Sequence, residues 1–192
     1  MNYLRPSIVL LLFITLITGL IYPLAVTGLA HLFFPQQSAG SLITVQNKIV
    51  GSALIGQAFS QASYFSGRPS ATATEPYNSL SSGGSNLAGS NPVLKLRIEA
   101  DIQRLRQANP DASISLPAEL VLASASGLDP HISPQSAYFQ VPRVASARHL
   151  APEQVRQLIK LHTQTPLSIL GEPVVNVLEL NLALDSTTQA GQ

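Results

Sequence analysis

The residues best suited to holding a ligand lie in the run Ser81-Ser82-Gly83-Gly84-Ser85-Asn86. Glycines permit close backbone approach and positive φ, and successive N–H groups can form an anion nest. Ser82, Gly83, Gly84, Ser85 and Asn86 are therefore candidate nucleotide or contact residues, although no lysine-bearing P-loop accompanies them. Asp129 and His131 lie close in sequence to Ser124, Ser126 and Ser133. These are the residue types of a hydrolytic triad, but Pro130 and Pro134 make so crowded a set read as a shaped turn. No G-x-S-x-G elbow is present. The four histidines fall at no metal-ligating spacing, and the chain has no cysteine, which removes disulfides, thiolate sites and a bacterial lipid anchor. The expectation is no catalytic residue and no metal site.

Elements must position these residues. From Ser41 to Ile55 short β-branched runs flank Gln46-Asn47-Lys48, which predicts a hairpin whose second strand is ended or bulged by Gly51 and Gly56. Residues 58–92 are rich in Ser, Gly, Pro and Asn, with Tyr64, Phe65 and Tyr77 interspersed. A loop of that length in a compact domain is either disordered or functional, and its aromatics predict an ordered, packed one. Asn91-Pro92 starts a helix, with Asn at the cap and Pro at the first helical position. Its apolar stripe is Leu94, Ile98, Ile102 and Leu105, Asn109-Pro110 ends it, and Arg97 and Asp101 are spaced to pair. Residues 117–123 read as a short helical stretch or a strand. Ser133-Pro134 opens a further helix that Pro142 restarts or kinks, and Ala151-Pro152-Glu153 opens another bearing Val155, Leu158, Ile159 and His162. Residues 177–185 stay ambiguous. Leucines at alternate positions suggest a strand, whereas Asn176 with Glu179 three later suggests a helix start. A strand at Val174–Val175 followed by a helix is the preferred reading.

The most conspicuous element carries no chemistry. Ile8 to Phe34 contains no Asp, Glu, Lys or Arg. About 27 residues at about 1.5 Å each cross a bilayer core of about 30 Å with some tilt. The run is about twice the length of a signal-peptide core, so a retained span is preferred to a cleaved leader. The fold class is thus mixed α/β: residues 1–7 a short cytoplasmic N-terminus, 8–34 a single transmembrane helix, and 35–192 one compact α+β extramembrane domain. Thr15, Gly19, Pro23 and Thr27, continued by His31, recur every four residues as a stripe suited to helix packing. Arg5 precedes the span and no Lys or Arg follows it until Lys48, which places the N-terminus in the cytoplasm and the domain outside. Charged residues are 11% of the chain and the net charge is +1. No basic patch argues for nucleic acid, and so weakly charged a surface suits docking on larger partners.

Several runs together resemble one family. They are Tyr22-Pro23, Phe34-Pro35, Gly40-Ser41-Leu42-Ile43, residues 51–57 (GSALIGQ), residues 64–71 (YFSGRPSA), Tyr77-Asn78, residues 82–87 (SGGSNL), Ser90-Asn91-Pro92, residues 124–133 (SASGLDPHIS), residues 140–145 (QVPRVA) and residues 174–185. In this order they resemble the C subunits of Kdp potassium-transporting ATPases, from Tyr22 to Asp185. The resemblance implies a non-catalytic accessory subunit in the bacterial inner membrane. Its partners would be a channel-like A subunit, a P-type ATPase B subunit that hydrolyses ATP, and a small F subunit. It also implies a catalytic chaperone that raises the B subunit's affinity for ATP, with no firmly bound cofactor and ATP met only through that subunit. Leu80 to Ser85 looks like the signature loop of ABC ATPases, the nucleotide contact proposed for the family. An outside domain conflicts with direct contact, because ATP lies across the membrane; coupling would then travel through the span or the A subunit. Arg68 and Arg143 read either as interface anchors or as intradomain ion pairs. The alternatives are a stand-alone membrane-anchored periplasmic binding protein or chaperone, and an anchored hydrolase acting through Ser126 and His131.

Overall fold

A computed structural model describes residues 3–165 and 171–189. Met1 and Asn2 of the expected N-terminal segment, and the last three residues of the domain, lie outside the described residues. The chain forms two compact units, Met1–Ser52 and Ala53–Gln192.

The first unit is dominated by one uninterrupted helix, Leu4–Phe33, of mean hydropathy 2.5 and with none of its apolar window buried. It is long and apolar enough to cross a membrane. Two α-helical stretches, α1 (Leu4–Leu16) and α2 (Tyr22–Phe33), flank a π-helical turn at Ile17–Ile21. Pro23 explains that turn. It has no N–H to give to Gly19, and in a regular α-turn its ring would collide with that carbonyl; a turn with one extra residue relieves both faults. Phe34, with φ −135° and ψ 58°, stops the helix, and a short turn α3 (Pro35–Ser38) follows. The Ser38 hydroxyl lies 3.1 Å from His31 Nδ1, tying the turn back onto the helix end.

The hairpin forms as expected: β1 (Leu42–Val45) pairs antiparallel with β2 (Lys48–Ser52). Its turn is two residues rather than three. Gln46 and Asn47 have φ of 48° and 63°, the left-handed pair that matches strand twist, so Lys48 already belongs to β2. The register shifts between Ile43 and Thr44, whose partners are Gly51 and Ile49. Val50 is therefore the bulged residue, beside Gly51.

In the second unit, α4 (Pro92–Ala108) starts where Asn91 Oδ1 accepts from Val93 N–H. Leu105 is buried, and Ile98 and Ile102 pack against the core. Asp101 pairs with Arg104 at 3.0 Å rather than with Arg97; i,i+3 and i,i+4 partners are near-equivalent on a helix surface. A single 3-10 turn, Ala118–Leu120, carries Leu120 into the core. α5 (Pro134–Arg148) is capped by the Ser133 hydroxyl, which accepts from Ser136 N–H, and it runs through Pro142 without a restart. His149, at φ 56°, closes it with Leu150 N–H donating to Ala145 O, a Schellman end on a non-glycine residue. α6 (Pro152–Leu161) buries Val155 and Ile159, and Gln154 Oε1 accepts from Ala151 N–H at its start.

Residues 177–185 are helical. β5 (Val174–Asn176) sits centrally in a small antiparallel sheet of order β3-β5-β4, between β3 (His131–Ile132) and β4 (Thr163–Gln164). α7 (Val177–Gln189) follows at once. Asn176 Oδ1 caps it, accepting from Leu178 and Glu179 N–H. Val177, Leu180, Asn181 and Leu184 are all buried, which is helical periodicity. The alternating leucines mislead because Leu182 is only partly buried, while polar Asn181 lies fully inside.

Candidate functional site

Residues 58–92 hold no regular element before α4, and yet the backbone of residues 62–66 is hydrogen-bonded within the domain. The reason is a set of polar side chains reaching out from α5 and α7. Asn181, 1% exposed, accepts from Phe65 N–H at 2.8 Å and donates to Phe65 O at 2.9 Å. Gln140, 0% exposed, does the same for Ser66: Oε1 accepts from its N–H and hydroxyl, and Nε2 donates to its carbonyl. The two amides thus act as a partner strand for a segment that has none. Arg143 donates to Ala62 O, Tyr64 O, Asn109 Oδ1 and Gln140 Oε1. Arg148 donates to Ser63 O and pairs with Asp185 at 2.8 Å, with its guanidinium 4.7 Å from the centre of the Tyr64 ring. Phe65, held between the two amides, is fully buried. Among the described residues Arg143 is in no ion pair, and its guanidinium is bonded within the domain. It is a clamp on carbonyls, and burial lowers its pKa.

Further along, the loop locks against a second one, residues 121–130. Ser70 Oγ donates to Gly127 O and accepts from Tyr77 N–H. Tyr77 OH donates to Arg68 O at 2.6 Å. Burial first, then the negative charge of Asp129, pushes the Tyr77 phenol up to about 12, against the opposing pull of Arg68. Gly56 fits beneath that ring, where a Cβ would come within 2.6 Å of it. Gly127, at φ 69°, admits no side chain either: a Cβ would meet Gly83 O and Thr72 Cγ2, each at 2.6 Å.

The Ser/Gly run lies along this second loop. Gly83 N–H and the Ser82 hydroxyl both donate to Ser126 O, at 2.8 and 3.0 Å. Gly84 packs on Ala125, whose carbonyl would lie 3.2 Å from an added Cβ, whereas Gly83 faces open space. Neither glycine takes a positive φ; in this stretch only Asn86 does, at 49°. Close approach, and not left-handed backbone, is what Gly84 contributes here. Ser85 is partly buried and Asn86 exposed. Leu80, just before the run, is 95% exposed.

Asp129 joins the loops to the sheet. It accepts from Arg68 Nη1 at 3.1 Å and from His131 N–H at 3.0 Å, with His131 Nδ1 at 3.7 Å. Hydrogen bonding from His131 and the nearby Arg68 guanidinium hold its carboxyl below the usual range, against the opposing effect of burial. Arg68 is therefore an intradomain ion-pair partner. A cleft of about 400 Å³ opens here, lined among others by Arg68, Glu119, Asp129, His131 and Glu172. The serines do not complete a triad. Ser133 Oγ donates to Glu119 Oε1 at 2.6 Å, Ser126 Oγ accepts from Leu128 N–H, and Ser124 is buried. Among the described residues none of these hydroxyls is hydrogen-bonded to His131, and no cluster of His, Asp and Glu could hold a metal ion.

Sequence reasoning missed the amide clamp. A signal existed: Gln140 and Asn181 are amides at core-facing positions of largely apolar helix stripes, and a buried amide needs a partner.

The chain thus combines a helix long and apolar enough to cross a bilayer with a domain whose polar side chains brace its own shaped loops. The family it falls in is described as KdpC, K+-transporting ATPase, c chain, whose model matches residues 4–186. The chain belongs to this family. It is 58% identical over 187 residues to the potassium-transporting ATPase KdpC subunit of Erwinia tasmaniensis, covering 97% of this chain and 98% of the relative. It is 56% identical over 193 residues to that of Photorhabdus laumondii, covering 100% of both. With that of Salmonella heidelberg it shares 58% identity over 184 residues, 95% of each chain.

Proposed function

We propose that this chain is a non-catalytic accessory subunit of an ATP-driven, high-affinity potassium uptake complex. It assembles with a channel-like A subunit, an ATP-hydrolysing B subunit and a small F subunit, and it stabilises the assembly. The proposed setting is the bacterial inner membrane, with the N-terminus cytoplasmic and the domain outside. The chain raises the ATP affinity of the B subunit as a catalytic chaperone, acting through the span and the A subunit as a bias between conformations. Supporting this reading is the commitment of the polar side chains around residues 58–92 to bonds within the domain, which makes a rigid surface rather than a reaction centre. Thr15, Gly19, Pro23 and Thr27 are the proposed packing positions of the span. Ser82, Gly83, Gly84, Ser85 and Asn86 are the proposed contact loop.

The absence of cysteine supplies the test. In Ser186→Cys, a membrane-impermeant maleimide that reaches the outer face should label intact cells. Labelling only after lysis would place the domain inside and make direct contact between the Ser/Gly loop and ATP the better account. Gly83 faces open space, so Gly83→Val perturbs a contact and not the fold. It should weaken K+-stimulated ATPase activity in the assembled complex, and unchanged kinetics would remove the loop from the mechanism. Co-purification from gentle detergent separates this function from a stand-alone anchored binding protein, which would emerge alone.

A further inference from the structure

Residues 58–70 pass beside the C-terminal half of α4 and leave two adjoining clefts there, of about 340 and 310 Å³. Phe59, Ser60, Ser66, Arg104 and Leu105 line both. Arg143 borders the first cleft and Arg68 the second, and among the described residues no Asp or Glu lines either. The whole chain is nearly neutral, with 11 basic and 10 acidic residues, so three arginines without a carboxylate are a local concentration of charge. The accessory role described above does not use it.

The three cations are incompletely answered within the domain. Arg143 donates only to neutral oxygens, those of Ala62, Tyr64, Asn109 and Gln140. These bonds take four of the five N–H groups of a guanidinium, and they leave its charge without a counter-ion among the described residues. Arg68 pairs with Asp129 through Nη1, but its Nε is buried without a hydrogen-bond partner. Arg104 pairs with Asp101 at the surface, its own side chain 62% exposed, so that pair is weak and gives way to a stronger acceptor. We infer that this groove is a binding site for a phosphate group carrying a small organic substituent. Guanidinium forks match phosphate oxygens. The three arginines come from three separate parts of the fold, which suits a tetrahedral anion better than a planar carboxylate that one fork satisfies. The volumes stand at the lower end of small-molecule pockets, about 300–1000 Å³, and Phe59 and Leu105 give the substituent an apolar wall. Glycerol phosphate has this chemistry, either free in solution or as the headgroup of an anionic lipid.

Calorimetric titration of the full chain, held in phosphatidylcholine nanodiscs, with glycerol 1-phosphate tests the site. Saturable binding with Kd below about 1 mM is expected, and no saturation by about 10 mM would overturn the inference. Arg104→Gln, at an exposed position of α4, should weaken binding at least about tenfold with thermal unfolding unchanged. Arg156→Gln alters an exposed arginine of α6 outside the groove. It removes the same charge and should leave binding within about twofold, because distant charges are screened. Equal losses in the two variants, or no loss in Arg104→Gln, would overturn the inference, since binding would then follow net charge or another site. Nanodiscs containing phosphatidylglycerol separate the two sources. A headgroup seated in the groove would raise the apparent Kd for the free ester at least about tenfold by competition. An unchanged Kd there would assign the same groove to a soluble phosphate ester.

Discussion

Two stretches of the same irregular loop meet very different fates. Residues 62–68 and residues 82–86 share a serine- and glycine-rich composition, and neither forms a helix or strand. The first is gripped by Gln140, Arg143, Arg148 and Asn181 and buries Phe65 completely. The second rests on Ser126 O through two hydrogen bonds and sends no buried side chain into the core. What separates them is what the neighbouring helices supply. A loop with buried polar partners becomes part of the core, whereas one supported only along its edge keeps a surface that can engage something else.

The sharpest way to break this contrast is to remove the grip. Asn181→Leu leaves Phe65 N–H and C=O buried without partners, at about 1–3 kcal/mol each. A loss of about 2–4 kcal/mol in unfolding free energy is expected for the full chain in detergent, and a loss under 1 kcal/mol would mean that the clamp is dispensable. The next test concerns the edge. Gly127→Ala puts a Cβ into Gly83 O and Thr72 Cγ2 at a left-handed position, and should cost about 1–3 kcal/mol. Gly83→Ala meets nothing and should stay within about 0.5 kcal/mol. If thermal unfolding ranks these two equally, the loops are not interlocked as described. Asp185→Asn weakens the pair with Arg148, but Asp185 is partly exposed, so about 1 kcal/mol is expected from the same melting series.

The smallest expected effect is one of pH. Hydrogen bonding from His131, with the Arg68 charge, lowers the Asp129 carboxyl, so the folded protein binds that proton less readily than the unfolded chain. Its contribution is fully present above the ordinary carboxylate value of about 3.9 and is lost as pH falls through the lower folded value. Denaturant midpoints measured from pH 6 down to pH 3 should fall less steeply in Asp129→Asn; identical slopes would show that the pair does not stabilise the fold.

The sequence was most readable where local rules decide. Asn91-Pro92 and Ser133-Pro134 announce helix starts because caps act within a few residues, and the span announces itself by length and absence of charge. Gln46-Asn47 pointed to a hairpin, with only the exact length of the turn misjudged. Distant partners were beyond local rules. Nothing near Ser66 shows that Gln140 will satisfy it, and nothing near Arg68 chooses Asp129 over a partner protein. The helix of residues 177–189 was open for a related reason. Alternating leucines fit a strand, and only the tertiary pairing of Asn181 with Phe65 makes a buried asparagine acceptable. In the Ser/Gly run the sequence suggested close approach of a ligand; within the chain it is Ala125 that approaches, at Gly84, a contact no sequence pattern encodes.

The π-helical turn in the span has a consequence for phase. In a regular α-helix each step of four residues overshoots a full circle by about 40°, so Thr15 and Thr27 would end about 120° apart, and Thr15 and His31 about 160° apart. The extra residue within Ile17–Ile21 winds the helix back by about 100° between those positions. Thr15, Gly19, Pro23 and Thr27 then come within a narrow sector, and His31 trails them by about 60°. Pro23 thus shapes more than its own turn: by forcing the turn beneath it to widen, it converts a spiral of small and polar groups into a seam.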